Sequence, residues 1–103
     1  MAYNKYSAKT CVIDGHKFDS LKEGRRYREL VLMQRAELIS DLTLQPAFEI
    51  KVNGEKICKY IADFQYIEKG KTVIEDVKGV KTREFNLKRK LMKAVFDIDI
   101  FIT

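Results

Sequence analysis

One histidine, one proline, no tryptophan and two cysteines are all that 103 residues contain of these types. Each scarcity removes a class of chemistry. With His16 alone and no CxxC pair, a four-ligand zinc site lacks donors. Triads and general-base schemes built on histidine lose their central group. Cys11 and Cys58 read as free, buried thiols of a reducing compartment. No apolar run approaches the roughly 20 residues that span a bilayer. The opening Met1-Ala2-Tyr3-Asn4-Lys5 lacks the apolar core of a signal peptide. The expected location is the cytoplasm, with no membrane partner. Chemistry must then run on carboxylates, lysines and a hard metal.

What the sequence does carry is charge. Charged residues make up 34% and hydrophobic residues 46%, ordinary values for one globular domain, and the net charge is +5. A chain this short buries a core only as a single unit, so one domain over residues 1–103 is expected, with residues 1–8 a loose terminus. The basic residues cluster. Lys22, Arg25, Arg26 and Arg28 form one group; Lys78, Lys81, Arg83, Lys88, Arg89, Lys90 and Lys93 form another. Basic runs often serve only as a solvated helix face, but two groups beside candidate acids suit a nucleic-acid partner.

The local pattern predicts a β-hairpin, a helix, a strand meander, a second helix and a last strand. Asp14-Gly15 turns a first hairpin over residues 10–18. Ser20-Leu21-Lys22-Glu23 matches a capping box that opens a helix to about Leu38. Asn53-Gly54 joins strands 48–52 and 56–60, the second continuing through residues 61–67. Lys69-Gly70 then leads into strand 72–78. Thr82 caps a helix over residues 83–96, with Leu87, Leu91, Ala94 and Val95 as its apolar stripe. Residues 97–103 close the chain as a strand. The fold class is α/β or α+β, a mixed sheet flanked by two helices.

Two (D/E)xK triplets occur, Glu49-Ile50-Lys51 and Asp76-Val77-Lys78, about as many as composition yields by chance. Geometry separates them. A turn at Lys69-Gly70 pairs Glu68 with Lys71, and counting outward sets Asp63 against Asp76. Alternation puts Asp63, Asp76 and Lys78 on one face, and Glu75 on the other with Ala62, Phe64, Tyr66, Val73 and Val77. Facing carboxylates repel; a divalent cation reverses the sign, because Mg²⁺ is held by one or two carboxylates plus water and phosphate oxygens. Lys78 points into the same space and can counter charge on a phosphate. An exposed aspartate pair balanced by lysine is the plainer reading. Glu23 shares a helix face with Tyr27, Leu30 and Val31, where it serves the cap, the metal site or both. Gly24, a poor helix former, suggests close approach of a backbone or phosphate.

Glu23, Asp63, Asp76 and Lys78 in that order resemble the PD-(D/E)xK nuclease superfamily. The runs Phe18-Asp19-Ser20, Leu44-Gln45-Pro46, Ala62-Asp63-Phe64 and Glu75-Asp76-Val77-Lys78-Gly79 are similar to small phage and prophage resolvase-like proteins. The resemblance spans residues 18–103. It implies a restriction-endonuclease-like core and hydrolysis of a DNA phosphodiester to 5′-phosphate and 3′-hydroxyl ends. Mg²⁺ or Mn²⁺ would be held by Asp63, Asp76 and the Val77 carbonyl. Lys78 would assist water, and Glu23 would complete a second metal position or orient water. Ala62 stands where the motif has proline, and Asp76 replaces the commoner glutamate, which leaves Glu75 a rival. Arg25, Arg26, Lys81, Thr82, Arg83, Lys88 and Arg89 are candidate DNA contacts, and Gln45 a secondary site candidate. Resolvase-like relatives imply a homodimer on DNA, possibly branched, in a bacterial host cell. The alternative is a non-catalytic DNA-binding accessory protein on a degenerate nuclease scaffold. RNA suits less, for want of an aromatic stacking platform.

Overall fold

A computed structural model describes residues 9–103; the expected loose terminus, residues 1–8, lies outside the described residues. The described chain runs β1 (Cys11–Ile13), β2 (His16–Phe18), α1 (Leu21–Arg35), β3 (Ser40–Leu44), β4 (Ala47–Val52), β5 (Glu55–Ile61), β6 (Phe64–Glu68), β7 (Lys71–Asp76), α2 (Arg83–Phe96) and β8 (Ile100–Ile102). The class is the expected mixed α+β fold. Its central sheet has the order β3-β6-β7-β8, antiparallel except for the parallel β7–β8 pair. Two hairpins, β1–β2 and β4–β5, stand outside that sheet. No helix among the described residues is long and apolar enough to cross a membrane.

All three hairpins turn at the expected dipeptides. Asp14-Gly15, Asn53-Gly54 and Lys69-Gly70 each place both residues at positive φ, the backbone that matches the twist of a two-residue hairpin. Both sheet faces are covered. Phe64 and Tyr66 pack under α1 with Phe18, Tyr27 and Leu30. On the other face Ile74 and Ile100 meet Phe85 and Met92 of α2, and Ile50 and Tyr60 of the β4–β5 hairpin. Ala62, expected on the face of Phe64 and Tyr66, belongs to this second cluster.

That exchange has a local cause. The strand expected to continue unbroken through residues 61–67 stops after Ile61 and restarts at Phe64. At this corner the Ala62 N–H donates to the Pro46 carbonyl and the Gln45 N–H to the Asp63 carbonyl, both at 3.0 Å. Parity is lost across the corner, so Tyr60 and Asp63 come to the same side of the sheet.

Other differences are also physical. Helix α1 ends at Arg35 rather than Leu38, because Glu37 takes a left-handed backbone. The Leu38 and Glu37 N–H groups then close onto the Met33 and Gln34 carbonyls, a Schellman arrangement without the usual glycine. The last strand begins at Ile100 rather than residue 97, since Asp97 is left-handed. Strand β3, unforeseen, is a polar edge with a register irregularity between Ser40 and Thr43. Helix α2 buries Phe85 and Met92, leaving Leu87 and Val95 of the expected stripe exposed. At Gly24 an added Cβ would lie 2.6 Å from Cys11 Sγ and 3.0 Å from Ile13 Cδ1. The glycine therefore lets side chains of β1, not a phosphate or a backbone, lie on α1.

Candidate active site

Strands β6 and β7 pair with Glu68 against Lys71 and Phe64 against Glu75. The regular ladder ends at that pair: Asp63 lies just before β6, its N–H reaching the Glu75 carbonyl at 3.2 Å rather than continuing the expected pairing, and Asp76 is the last residue of β7. Their carboxyl groups meet within hydrogen-bonding range, and Glu23, from the first turn of α1, reaches Asp63. Lys78 Nζ lies 3.7 Å from Asp76 Oδ2 and 4.6 Å above the Phe85 ring. The structure thus gathers Glu23, Asp63, Asp76 and Lys78 at the end of β7. Val77, expected to lend its carbonyl, is tied to the site by its N–H, which donates to Asp63 Oδ2 at 2.7 Å.

Burial makes the gathering costly. Asp76 is 1% exposed and accepts a hydrogen bond from the Tyr60 hydroxyl. Burial, then the shared hydrogen bond and charge of Asp76, push Asp63 up to about 8, against the pull of the Val77 N–H. Burial first, then the charge of Asp19, raises Glu23 as well. At Ser20 half of the capping box is present, its Oγ accepting from the Glu23 N–H at 3.1 Å. The Glu23 carboxylate is turned to Asp63 and the Asp19 backbone instead. Capping and site membership are therefore divided between its main chain and its side chain.

A carboxyl raised by folding gives a definite pH signature. A protonated Asp63 contributes stability that is whole below its unfolded value near 4 and is lost as pH climbs through about 8. In metal-free buffer, thermal melts should therefore show the protein losing ground to its Asp63→Asn variant between pH 5 and pH 8.5. Parallel curves for the two proteins would contradict the shared proton.

Glu75 is the rival that geometry removes from the cluster. It is 0% exposed on the opposite face, between two Arg26 nitrogens at 2.7 and 3.0 Å, the Tyr66 hydroxyl at 2.6 Å and the Thr103 hydroxyl at 3.1 Å. Arg26, an expected DNA contact, is consumed in this clamp, because a buried carboxylate needs a partner and a bidentate guanidinium supplies one. Burial and the bond to Glu75 raise the Tyr66 hydroxyl, and the Glu75 bond raises Arg26.

The remaining candidates divide. Arg25, Lys81, Arg83 and Arg89 are exposed. Thr82 caps α2, its hydroxyl accepting from the Phe85 N–H at 3.1 Å, and Lys88 pairs with Glu84 at 3.2 Å. Gln45 stands beside the acids, lining a cleft with Glu23 and Asp63. Tyr60 and Phe85, which hold Asp76 and Lys78, escaped the sequence reading. Unbroken alternation separates Tyr60 from Asp63, and only the corner at Ala62 brings them together. Lys22, whose Nζ donates to the Lys78 carbonyl at 3.3 Å, was visible only as one of a basic group.

Among the described residues no three histidine, cysteine, aspartate or glutamate side chains stand as a ready metal cage. What the site offers is an aspartate pair with a third carboxylate alongside. Fold and site together define a mixed-sheet α+β protein that concentrates buried acids and one lysine at a single sheet end. The chain belongs to the family described as Protein of unknown function (DUF1064), whose model matches residues 3–100. A comparison with curated proteins finds no match.

Proposed function

We propose that the protein is a metal-dependent DNA endonuclease of the PD-(D/E)xK type, built on a restriction-endonuclease-like core. One observation carries the reading: buried Asp76 and half-buried Asp63 meet at the end of β7 with a lysine 3.7 Å from one of them. Stability alone disfavours such a pair. The donors fit a hard divalent ion, since Mg²⁺ needs only one or two carboxylates and completes its shell with water and phosphate oxygens. Asp63 and Asp76 would hold it, with Glu23 beside them. Bound there, Mg²⁺ or Mn²⁺ supplies charge neutralisation and a more acidic water.

The chain's own groups do the rest. Lys78, seated on Phe85, faces the developing phosphate charge, and Tyr60 fixes the rotamer of Asp76. Glu23 orients the attacking water. Water adds to phosphorus, the bond to the 3′ oxygen breaks, and that oxygen takes up a proton. Exposed Arg25, Lys81, Arg83 and Arg89 suit the flanking backbone, with affinity that falls steeply with salt. A homodimer acting on branched DNA, in phage or prophage DNA processing within a bacterial cytoplasm, belongs to the same proposal. Exposed Leu87 and Val95 on α2 give such a dimer an apolar contact.

The test is a cleavage panel of duplex, nicked, single-stranded and four-way DNA with Mg²⁺, Mn²⁺ or chelator, with the oligomer's mass read by light scattering. Metal-dependent cutting of at least one substrate is expected. DNA binding with all substrates uncut would replace the enzyme by the accessory-protein reading.

A further inference from the structure

A cleft of about 390 Å³ opens directly onto the acid cluster. Exposed His16 and Lys17 of the β1–β2 hairpin form its outer wall, the less exposed Glu23 and Asp63 its inner end, and Asp19, Leu44 and Gln45 also line it. The volume lies in the range of small-ligand sites. The cleft's two ends differ in chemistry. The inner end is lined by carboxyl groups, whereas Lys17 and His16 are exposed and enter no ion pair among the described residues.

The outer wall is held in place. The Tyr27 hydroxyl donates to Asp14 Oδ2 at 3.0 Å, and the His16 ring stands edge-on to the Tyr27 ring at 5.8 Å. Gln45 is equally fixed, with a left-handed φ of 51° and its N–H bonded to the Asp63 carbonyl. A non-glycine residue held there is strained, and surroundings that impose such strain are common at ligand sites. Core residue Phe18 also borders the cleft.

We propose that this cleft is the nucleotide subsite beside the scissile phosphate, Lys17 and His16 meeting the neighbouring phosphate and Gln45 the base edge. The assignment rests on the endonuclease reading and adds which surface holds the strand: the β1–β2 hairpin rather than α2 alone. Once ionised, the acids at the inner end repel a phosphate, so occupancy requires a divalent ion there.

Two measurements test it. In the first, ¹⁵N-labelled full chain is titrated with 5′-phosphorylated trithymidylate in the presence of Ca²⁺ and, separately, of chelator. Amide shifts centred on His16, Lys17 and Gln45, present with Ca²⁺ and weakened in Lys17→Ala, are expected. In the second, Lys17→Ala raises the KM for DNA cleavage about tenfold, moves kcat far less, and lowers the salt slope by about one. Shifts confined to α2, or none, overturn the subsite whether or not the protein cuts DNA. Shifts at the hairpin in a protein that cuts no DNA keep the subsite and remove the endonuclease reading.

Discussion

Replacing Asp76 by asparagine is expected to slow Mg²⁺-dependent DNA cleavage by about 10²–10⁴-fold, the range for removing a group that stabilises transition-state charge or moves a proton. The fold should survive. Asparagine keeps the volume of a side chain that is 1% exposed, and its amide oxygen can still accept from the Tyr60 hydroxyl. Removing one of two facing carboxylates also relieves repulsion, so the melting temperature should rise or hold. A single-turnover assay paired with a thermal melt separates the two effects. Wild-type cleavage by the variant would remove Asp76 from the chemistry.

The adjacent glutamate should behave in the opposite way. Glu75→Ala strands the Arg26 guanidinium and leaves the Tyr66 and Thr103 hydroxyls without their acceptor. Breaking a buried pair from one side costs about 3–5 kcal/mol. Domains of this size hold only about 5–15 kcal/mol in all. The expected result is a melting temperature lower by about 15–30 °C, followed by circular dichroism. Arg26→Ala should fall in the same range. If Glu75→Ala melted like the wild type yet lost cleavage, the roles assigned to the two neighbouring acids would be exchanged.

Much of this division was legible before any coordinates, because strand alternation is strict where a ladder is regular. The register from Lys69-Gly70 turns Glu75 to the face opposite Asp76, and the ladder from Glu68–Lys71 to Phe64–Glu75 follows it, though not as far as Asp63. The three turn dipeptides fixed the hairpins for a similar reason, since few residue pairs tolerate two successive positive φ angles. Legibility failed where tertiary contacts override local pattern. No residue near Ala62 signals that β5 must leave one sheet and β6 enter another, so the role of Tyr60 beside Asp76 is not legible. On helix α2 the expected stripe keeps only Leu91 against the core, and Phe85 with Met92 is buried instead, where the sheet presents Ile74 and Ile100. Arg26 resembles its exposed neighbour Arg25 in sequence; only the buried carboxylate of Glu75, 49 residues away, distinguishes them by pairing with Arg26.

The aspartate pair as a cation site is the physical claim beneath the enzymatic proposal. Calorimetric titration of Mn²⁺ into the wild type and into Asp63→Asn/Asp76→Asn tests it without reference to any DNA. Saturable binding by the wild type is expected, with protons released below pH 8 as the ion displaces the one held at Asp63, and with no binding by the double variant. Equal binding by both proteins, or none by either, would contradict it.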